Sequence, residues 1–179
     1  MAPERLNRTH LPFRAVNRRD ALGYQPGLQR HHLLPRQLLQ RPCFARMLDR
    51  VDTRTVGFDD FRRNGLLLPS CEATALRTGL PLHCGPHRCY NELVFERVGQ
   101  IEARWRRRHG PEGDREAVER LGLLQRALRR RLLSDRRRAV SLSRRDPAWR
   151  ERDFSVLDAM ADQLWAATPP DGIAASPAG

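Results

Sequence analysis

The feature that most constrains the fold of this chain is a helical repeat of apolar residues in its second half. From Pro86 onward, apolar side chains recur every three or four positions: Tyr90, Leu93, Val94, Val98, Ile101 and Trp105. Pro86 suits the first position of such a helix, which should end near His109. A second amphipathic stretch runs from Arg115 to Asp135 after a short loop. Because the loop is short, we expect the two helices to pack antiparallel.

The chain divides into four parts by composition. Residues 1–28 are rich in Arg, Asn, Pro and Gly and predict an irregular N-terminal arm. Residues 29–109 form the expected core, including its long helix, and residues 110–167 a basic helical extension that ends in a short helix near Phe154. Residues 168–179 have the composition of a disordered tail.

Shorter elements are expected between the two ends of the core. Pro42 should interrupt a first helical segment. The Asn64-Gly65 step before the apolar run Leu66–Leu68 is typical of a β-hairpin turn. A short helix follows from Ser70 to Thr78, and Gly79 suits its left-handed C-terminal position. Strands among helices predict the α+β class, with predominantly helical surroundings.

The charge balance points to a polyanionic partner. Lys and Arg number 33 against 21 acidic residues, for a net charge of +12, and every basic residue is arginine. A GC-rich coding bias also produces a chain without lysine, but the excess of positive charge remains and favours nucleic acid. Of the two nucleic acids we expect DNA rather than RNA as the partner. Arginine runs at 106–108, 129–131 and 136–138 could contact a phosphate backbone without reading sequence. The same runs also suit helix C-termini on local electrostatic grounds.

Cysteine usage and hydropathy bear on the compartment. The four cysteines form no C-x-x-C pair, no segment reaches about 18 consecutive apolar residues, and the N-terminus lacks the apolar core of a secretory signal. We therefore expect a cytoplasmic location and no membrane partner. Cys43 and Cys71 are expected to be small buried residues. Cys84 and Cys89 could form a structural zinc site with His83, although the spacing fits no common zinc module.

Four of the six histidines lie in two clusters, His31-His32 and His83 with His87. Neutral imidazole serves both as a metal ligand and as a general base at neutral pH. Adjacent residues at a strand end point to opposite sides, so such a pair can direct one ring at a metal and the other at a water molecule. A metal-dependent nuclease needs a divalent cation to stabilise charge on the phosphate and a neutral histidine to accept a proton from the attacking water.

Taken in order, the motifs resemble a known family. His31-His32-Leu-Leu-Pro, then Asn64-Gly65-Leu-Leu-Leu-Pro, then His83-x3-His87-x2-Tyr-Asn resembles the AHH branch of the HNH/endonuclease VII superfamily, which includes predicted bacterial toxin nucleases. The resemblance covers residues 29–100 and implies a ββα-metal (His-Me finger) core holding one divalent ion. It also implies His32 as the general base, His31, His83 and His87 as metal ligands, and Asn64 as the residue that fixes the loop carrying the base.

The second histidine cluster leaves alternatives open. Gly85-Pro86 separates its members, so we rank His87 above His83 as a ligand, with Asn91, one helical turn after His87, as a substitute for His83. The ligand types do not select among Mg, Mn, Zn and Ni. The prediction is a metal-dependent endonuclease of low sequence specificity. The alternative is a non-catalytic nucleic-acid-binding protein with a structural metal, and a toxin role would add an immunity protein as partner.

Overall fold

The computed structural model describes residues 10–84, 88–108, 110–133 and 142–143. Its helices and strands follow in chain order: β1 (Leu28–His32), α1 (Pro42–Val51), α2 (Thr53–Val56), α3 (Phe61–Asn64), β2 (Gly65–Pro69), α4 (Glu72–Thr78), β3 (His83–Cys84), α5 (Arg88–Arg107), α6 (Pro111–Leu133) and β4 (Leu142–Ser143). Short 3-10 turns cover Phe13–Ala15 and Arg36–Gln40. This mixture of helices and a small antiparallel sheet confirms the predicted α+β class. The expected helix near Phe154, the arginine run 136–138 and the tail 168–179 lie outside the described residues.

Strands β1 and β2 form a two-stranded antiparallel sheet although residues 33–64 separate them. In its register His31 pairs with Leu66 and His32 with Gly65. The predicted Asn-Gly hairpin turn is therefore wrong. Asn64 is the last residue of α3, and Gly65 opens β2 in an extended conformation with φ −116°.

Gly65 is required by close packing rather than by a turn. A Cβ atom at this position would overlap the ring of Phe61, which lies in α3 immediately before the strand. Glycine often marks a close approach of this kind within a strand. The same dipeptide that signals a hairpin in sequence thus serves here as a helix end followed by a tightly packed strand start.

The helices enclose one apolar core with the sheet. Pro42 occupies the first turn of α1, whose buried face carries Phe44, Met47, Leu48 and Val51. Helix α6 contributes leucines to the same cluster, at positions 121, 124, 128 and 132, where they join Leu33, Leu34 and Leu38 from the segment after β1. The segment that follows the histidine pair is therefore anchored in the centre of the molecule.

Helices α5 and α6 pack against each other across a short connection. Trp105 is buried in the core as expected from its helical stripe, and its Nε1 donates a hydrogen bond to Asp114 Oδ1 at 2.8 Å. Glu116 accepts hydrogen bonds from Arg104, Arg108 and Arg120. Within the described ranges, none of the helices combines the length and apolar character needed to cross a lipid bilayer.

Two smaller expectations had opposite outcomes. Gly79 ends α4 with φ 68°, which confirms the predicted left-handed C-terminal residue. Cys43 and Cys71, in contrast, are exposed, so the expectation that they are buried is wrong. Cys43 lies in the first turn of α1, away from that helix's buried face, and Cys71 is the N-cap of α4 with its Sγ 3.2 Å from Thr74 Oγ1.

Candidate active site

The adjacent histidines at the end of β1 have different surroundings. His31 is 3% exposed, and its ring meets the rings of His83 and Tyr90 edge-on, with centroid distances of 4.8 and 4.9 Å. His32 is partly exposed and stacks on Phe13, with centroids 3.7 Å apart and an interplanar angle of 1°. Because alternate strand residues point to opposite faces, one ring faces α5 and the other faces the N-terminal segment.

A pocket of 280 Å³ brings together four of the residues singled out from the sequence. Its lining includes His31, His32, His83 and Asn91. Arg30, Pro35, Arg36 and Gln37 complete it. The remaining metal-ligand candidate, His87, lies outside the described residues. The structure thus brings His83 of the second cluster to the two histidines of the first, although about fifty positions separate them in sequence.

Amide side chains connect His83 and Asn91 to the segments on either side of the His31-His32 pair. Gln29 Nε2 contacts both Nδ1 and the carbonyl oxygen of His83, which links β1 to β3. Asn91, in the first turns of α5, donates from Nδ2 to Gln37 Oε1 at 2.7 Å. Because that bond engages only the carboxamide nitrogen, the carboxamide oxygen of Asn91 is the atom suited to a metal.

Tyr90 links α5 directly to the histidine strand. The side chain is 1% exposed, and its hydroxyl donates a hydrogen bond to the Leu33 carbonyl oxygen at 2.8 Å. Burial raises the pKa of this phenol, so Tyr90 remains a neutral donor. Its ring also packs on His31, and Tyr90 therefore contacts the end of β1 through both its ring and its hydroxyl group. Its apolar periodicity in the sequence predicts burial but not this hydrogen bond.

Asn64 is buried and binds the backbone of the segment that follows His32. The residue is 0% exposed, and its Oδ1 accepts a hydrogen bond from Leu34 N at 2.7 Å. Its Nδ2 donates to the carbonyl oxygens of Leu34 and Phe58, each at 3.1 Å. Its own carbonyl accepts a hydrogen bond from Leu33 N at 2.8 Å. The side chain thus reaches backbone groups of the segment after β1 and holds that segment against α3.

His32 also borders a second, larger cleft of 1210 Å³. Burial lowers the pKa of His32 to about 4, the positive charge of Arg36 adds to this effect, and Asp59 opposes it. The neutral imidazole is the form that can accept a proton. His32 therefore lies between the two pockets in the protonation state that a general base requires.

Phe13 is a site residue that the sequence did not reveal, because it falls in the stretch interpreted as an irregular arm. Its carbonyl oxygen accepts a hydrogen bond from Arg30 Nη1 at 2.8 Å, and its ring packs edge-on against Phe61 at 5.1 Å. Two positions earlier, the carbonyl oxygen of Leu11 accepts a hydrogen bond from Phe61 N at 2.8 Å. These contacts fasten the arm to β1 and α3 and place an aromatic face against His32. No motif signals such a contact between distant segments.

The described donors fit a divalent metal in type. No group of three or more His, Cys, Asp or Glu side chains gathers as a metal-binding cluster within the residues that the structure describes. Those residues do supply two neighbouring imidazoles, His31 and His83, and the amide of Asn91 in the same pocket. Imidazole with an oxygen donor suits first-row divalent ions such as Zn, Ni or Mn.

Comparisons with known proteins bear on the family. No curated protein sequence and no solved structure shows a match to this chain. A protein-family model, AHH, described as a nuclease family of the HNH/ENDO VII superfamily with conserved AHH, matches residues 13–124. The match extends beyond residues 29–100 and includes Phe13 and every residue that lines the 280 Å³ pocket. Arg30 stands before the histidine pair where the family name has alanine, and its exposed side chain binds Phe13. Because the match covers more than half of the 179 residues, the chain belongs to the AHH family of nucleases within the HNH/ENDO VII superfamily.

Proposed function

We propose that this protein is a metal-dependent endonuclease that hydrolyses phosphodiester bonds with little sequence preference. The observation that carries the proposal is the edge-on contact between the rings of His31 and His83. Their centroids are 4.8 Å apart, in a pocket that His32 also lines. Two imidazoles beside a third, neutral one provide ligands and a base within one small volume. We propose DNA rather than RNA as the substrate.

His31, His83 and His87 would hold one divalent cation, with Asn91 as substitute for His83. Bound there, the ion would stabilise negative charge on the phosphate and on the leaving oxygen. The buried Tyr90 supports His31 by ring contact, and Gln29 contacts His83 from β1. We also propose that β1, β2 and helix α5 constitute the ββα-metal core, because His31 in β1 contacts Tyr90 in α5.

His32 acts as the general base in this proposal. Its stacking on Phe13 restricts the orientation of the imidazole, and burial keeps the ring neutral. A water molecule attacks phosphorus and transfers its proton to the imidazole as the new phosphorus–oxygen bond forms. The bond to the leaving oxygen then breaks and that oxygen takes up a proton, so the products are a phosphate monoester and a hydroxyl. Asn64 holds the backbone that follows the base.

A cleavage panel tests the proposal. The full chain is stripped with chelator and then incubated with supercoiled plasmid or structured RNA in the presence of Mg, Mn, Ni or Zn. We expect at least one ion to restore cleavage, and we expect His32→Ala to slow it by about 10²–10⁴-fold, the usual contribution of a general base. His109→Ala is the matched control, because it removes a histidine that the proposal assigns neither to the metal nor to the base. Absence of cleavage with all four ions, or an undiminished rate in His32→Ala, would overturn the proposal.

Circular dichroism separates this function from the alternative of a structural metal. If the ion is catalytic, chelator abolishes cleavage and leaves the far-ultraviolet spectrum of the folded protein in place. If the ion is structural, chelator removes the folded signal itself, because binding free energy is then folding free energy. An immunity protein as partner and a cytoplasmic location stay predictions from the sequence.

A further inference from the structure

The arginines of this chain fall into two groups that the sequence does not distinguish. On α5, on α6 and in their connection, several are paired with acidic side chains: Arg104, Arg108 and Arg120 with Glu116, and Arg106 with Glu102. An arginine that is already bound to a carboxylate must break that contact before it can bind a phosphate. Part of the conspicuous run at 106–108 is thus neutralised within the protein.

The arginines of the 1210 Å³ cleft beside His32 are different. Arg14, Arg36 and Arg54 are exposed, and none of their guanidinium groups has a hydrogen bond or salt bridge with a residue in the described part of the chain. Two carboxylates also line the cleft. The Oδ1 of Asp60 accepts hydrogen bonds from the backbone N–H groups of Leu11 and Arg62, and the exposed Asp59 forms no salt bridge with these arginines within the described residues. The cleft is therefore a concave surface with three available cations.

The position of the cleft relates these cations to the proposed chemistry. The cleft and the 280 Å³ pocket share Arg30, His32 and Arg36. A phosphodiester strand with one phosphate in the small pocket would continue past His32 into the cleft. Guanidinium groups bind phosphate oxygens in a bidentate manner and do so at any base sequence.

We propose that the cleft is the binding site for the phosphate backbone next to the scissile bond, and that Arg14, Arg36 and Arg54 are its phosphate ligands. The inference rests on the proposed nuclease function, since it places the substrate of that reaction. It assigns backbone binding to the cleft rather than to the arginine runs of the two long helices. Contacts of this type confer affinity and register but no sequence preference, in agreement with a nuclease of low specificity.

The test measures binding separately from cleavage. His32→Ala protein, which removes the base and no charge at neutral pH, is titrated against a fluorescent mixed-sequence DNA duplex, and anisotropy gives the affinity over a range of salt concentrations. We expect the triple variant R14Q/R36Q/R54Q to bind at least tenfold more weakly. Each phosphate contact contributes about 0.9 to the slope of log affinity against log salt, so the slope should fall by roughly 2–3.

A second triple variant, R77Q/R107Q/R115Q, is the matched control. It removes the same charge from exposed positions that do not line the cleft, and it should change affinity by less than about threefold. Equal losses in the two triples, or binding by the cleft triple within twofold of the parent, would overturn the inference. Should the cleft triple fail to fold, R54Q alone must lower the slope by about 1.

The outcomes also distinguish this inference from the proposed function. Weak binding by the cleft triple in a protein whose wild type cleaves nothing would support the cleft and refute the nuclease mechanism. Normal binding and normal cleavage by the cleft triple, built with His32 intact, would refute the cleft and leave the mechanism standing.

Discussion

Asn64→Ala provides a quantitative test of how the histidine strand is held. The substitution deletes a carboxamide that is 0% exposed and that binds three backbone groups, Leu34 N, Leu34 O and Phe58 O. Gln125 also donates to Asn64 Oδ1 at 3.3 Å, but it keeps a second bond, to Val56 O at 3.2 Å. The main consequence is therefore three buried backbone groups without partners.

The expected cost follows from the desolvation of those groups. A buried donor or acceptor left without a partner costs about 1–3 kcal/mol, so three of them cost roughly 3–9 kcal/mol before the structure relaxes. Relaxation and the entry of water reduce the sum, and we expect a loss of about 3–5 kcal/mol. A natural domain is stable by only about 5–15 kcal/mol. For a chain of this length the melting temperature should fall by roughly 6–20 °C.

Denaturant unfolding followed by circular dichroism measures this loss. Asn91→Ala is the matched control: it removes the same side chain from a less buried position with one exposed hydrogen bond to Gln37, and it should cost under about 1 kcal/mol. Asn64→Asp keeps the acceptor for Leu34 N but directs its second oxygen at two carbonyl oxygens, so it should destabilise at neutral pH as well. If Asn64→Ala costs no more than the control, the carboxamide does not hold this segment and the reasoning fails.

Three further changes test the packing at the start of β2, the ion pairs between α5 and α6, and the aromatic contact of His32. Gly65→Ala would force Phe61 to move and should cost about 1–3 kcal/mol in thermal unfolding, whereas Gly99→Ala, with open space at its Cβ inside α5, should stabilise by about 0.5–1 kcal/mol; a similar effect at both positions would contradict the packing argument. Burial alone would raise the pKa of Glu116, but hydrogen bonds from Arg120 and Arg104 outweigh it and lower the pKa, so the charged carboxylate stabilises the fold at neutral pH. Glu116→Gln should therefore lower the free energy of unfolding by roughly 1–2 kcal/mol at pH 7. The difference from the wild type should shrink as pH falls through the depressed pKa, and a difference that grows in acid would contradict this argument. Phe13→Leu should lower kcat for cleavage more than it changes KM, because it removes the aromatic face stacked on His32; a change confined to KM would argue against a positioning role.

The parts of the fold that were predictable from sequence are those set by local interactions. Helix α5 was expected between Pro86 and His109 and spans Arg88–Arg107, because apolar spacing along a helix involves only neighbouring turns. Gly79 has the left-handed backbone that its place after a helix indicates. Both inferences draw on interactions within a few residues, where propensity and spacing are informative.

The Asn64-Gly65 step is a case in which local sequence preferences gave the wrong prediction. Asn and Gly favour hairpin turns because both tolerate positive φ, and the sequence contains nothing that distinguishes this use from others. In the structure Gly65 is extended and its neighbour Phe61 fills the space of a Cβ, while the carboxamide of Asn64 binds residues thirty positions earlier. The pairing of β1 with β2 and the docking of Phe13 on His32 likewise depend on long-range packing. Residue spacing does not encode such contacts.

Charge illustrates the same division in energetic terms. A net charge of +12 predicts a polyanionic partner from a simple count, because the long-range field depends on the sum. Which arginines bind that partner depends instead on local pairing. Consecutive arginines attract attention in a sequence, yet on a helix they meet acidic residues one turn away, as Arg106 does with Glu102. Arg14, Arg36 and Arg54 are isolated in the sequence. Only the folded chain brings them to one cleft, where no described acidic side chain forms a salt bridge with them. A binding surface for phosphate is therefore defined by where cations remain unpaired and converge, and that is a property of tertiary structure.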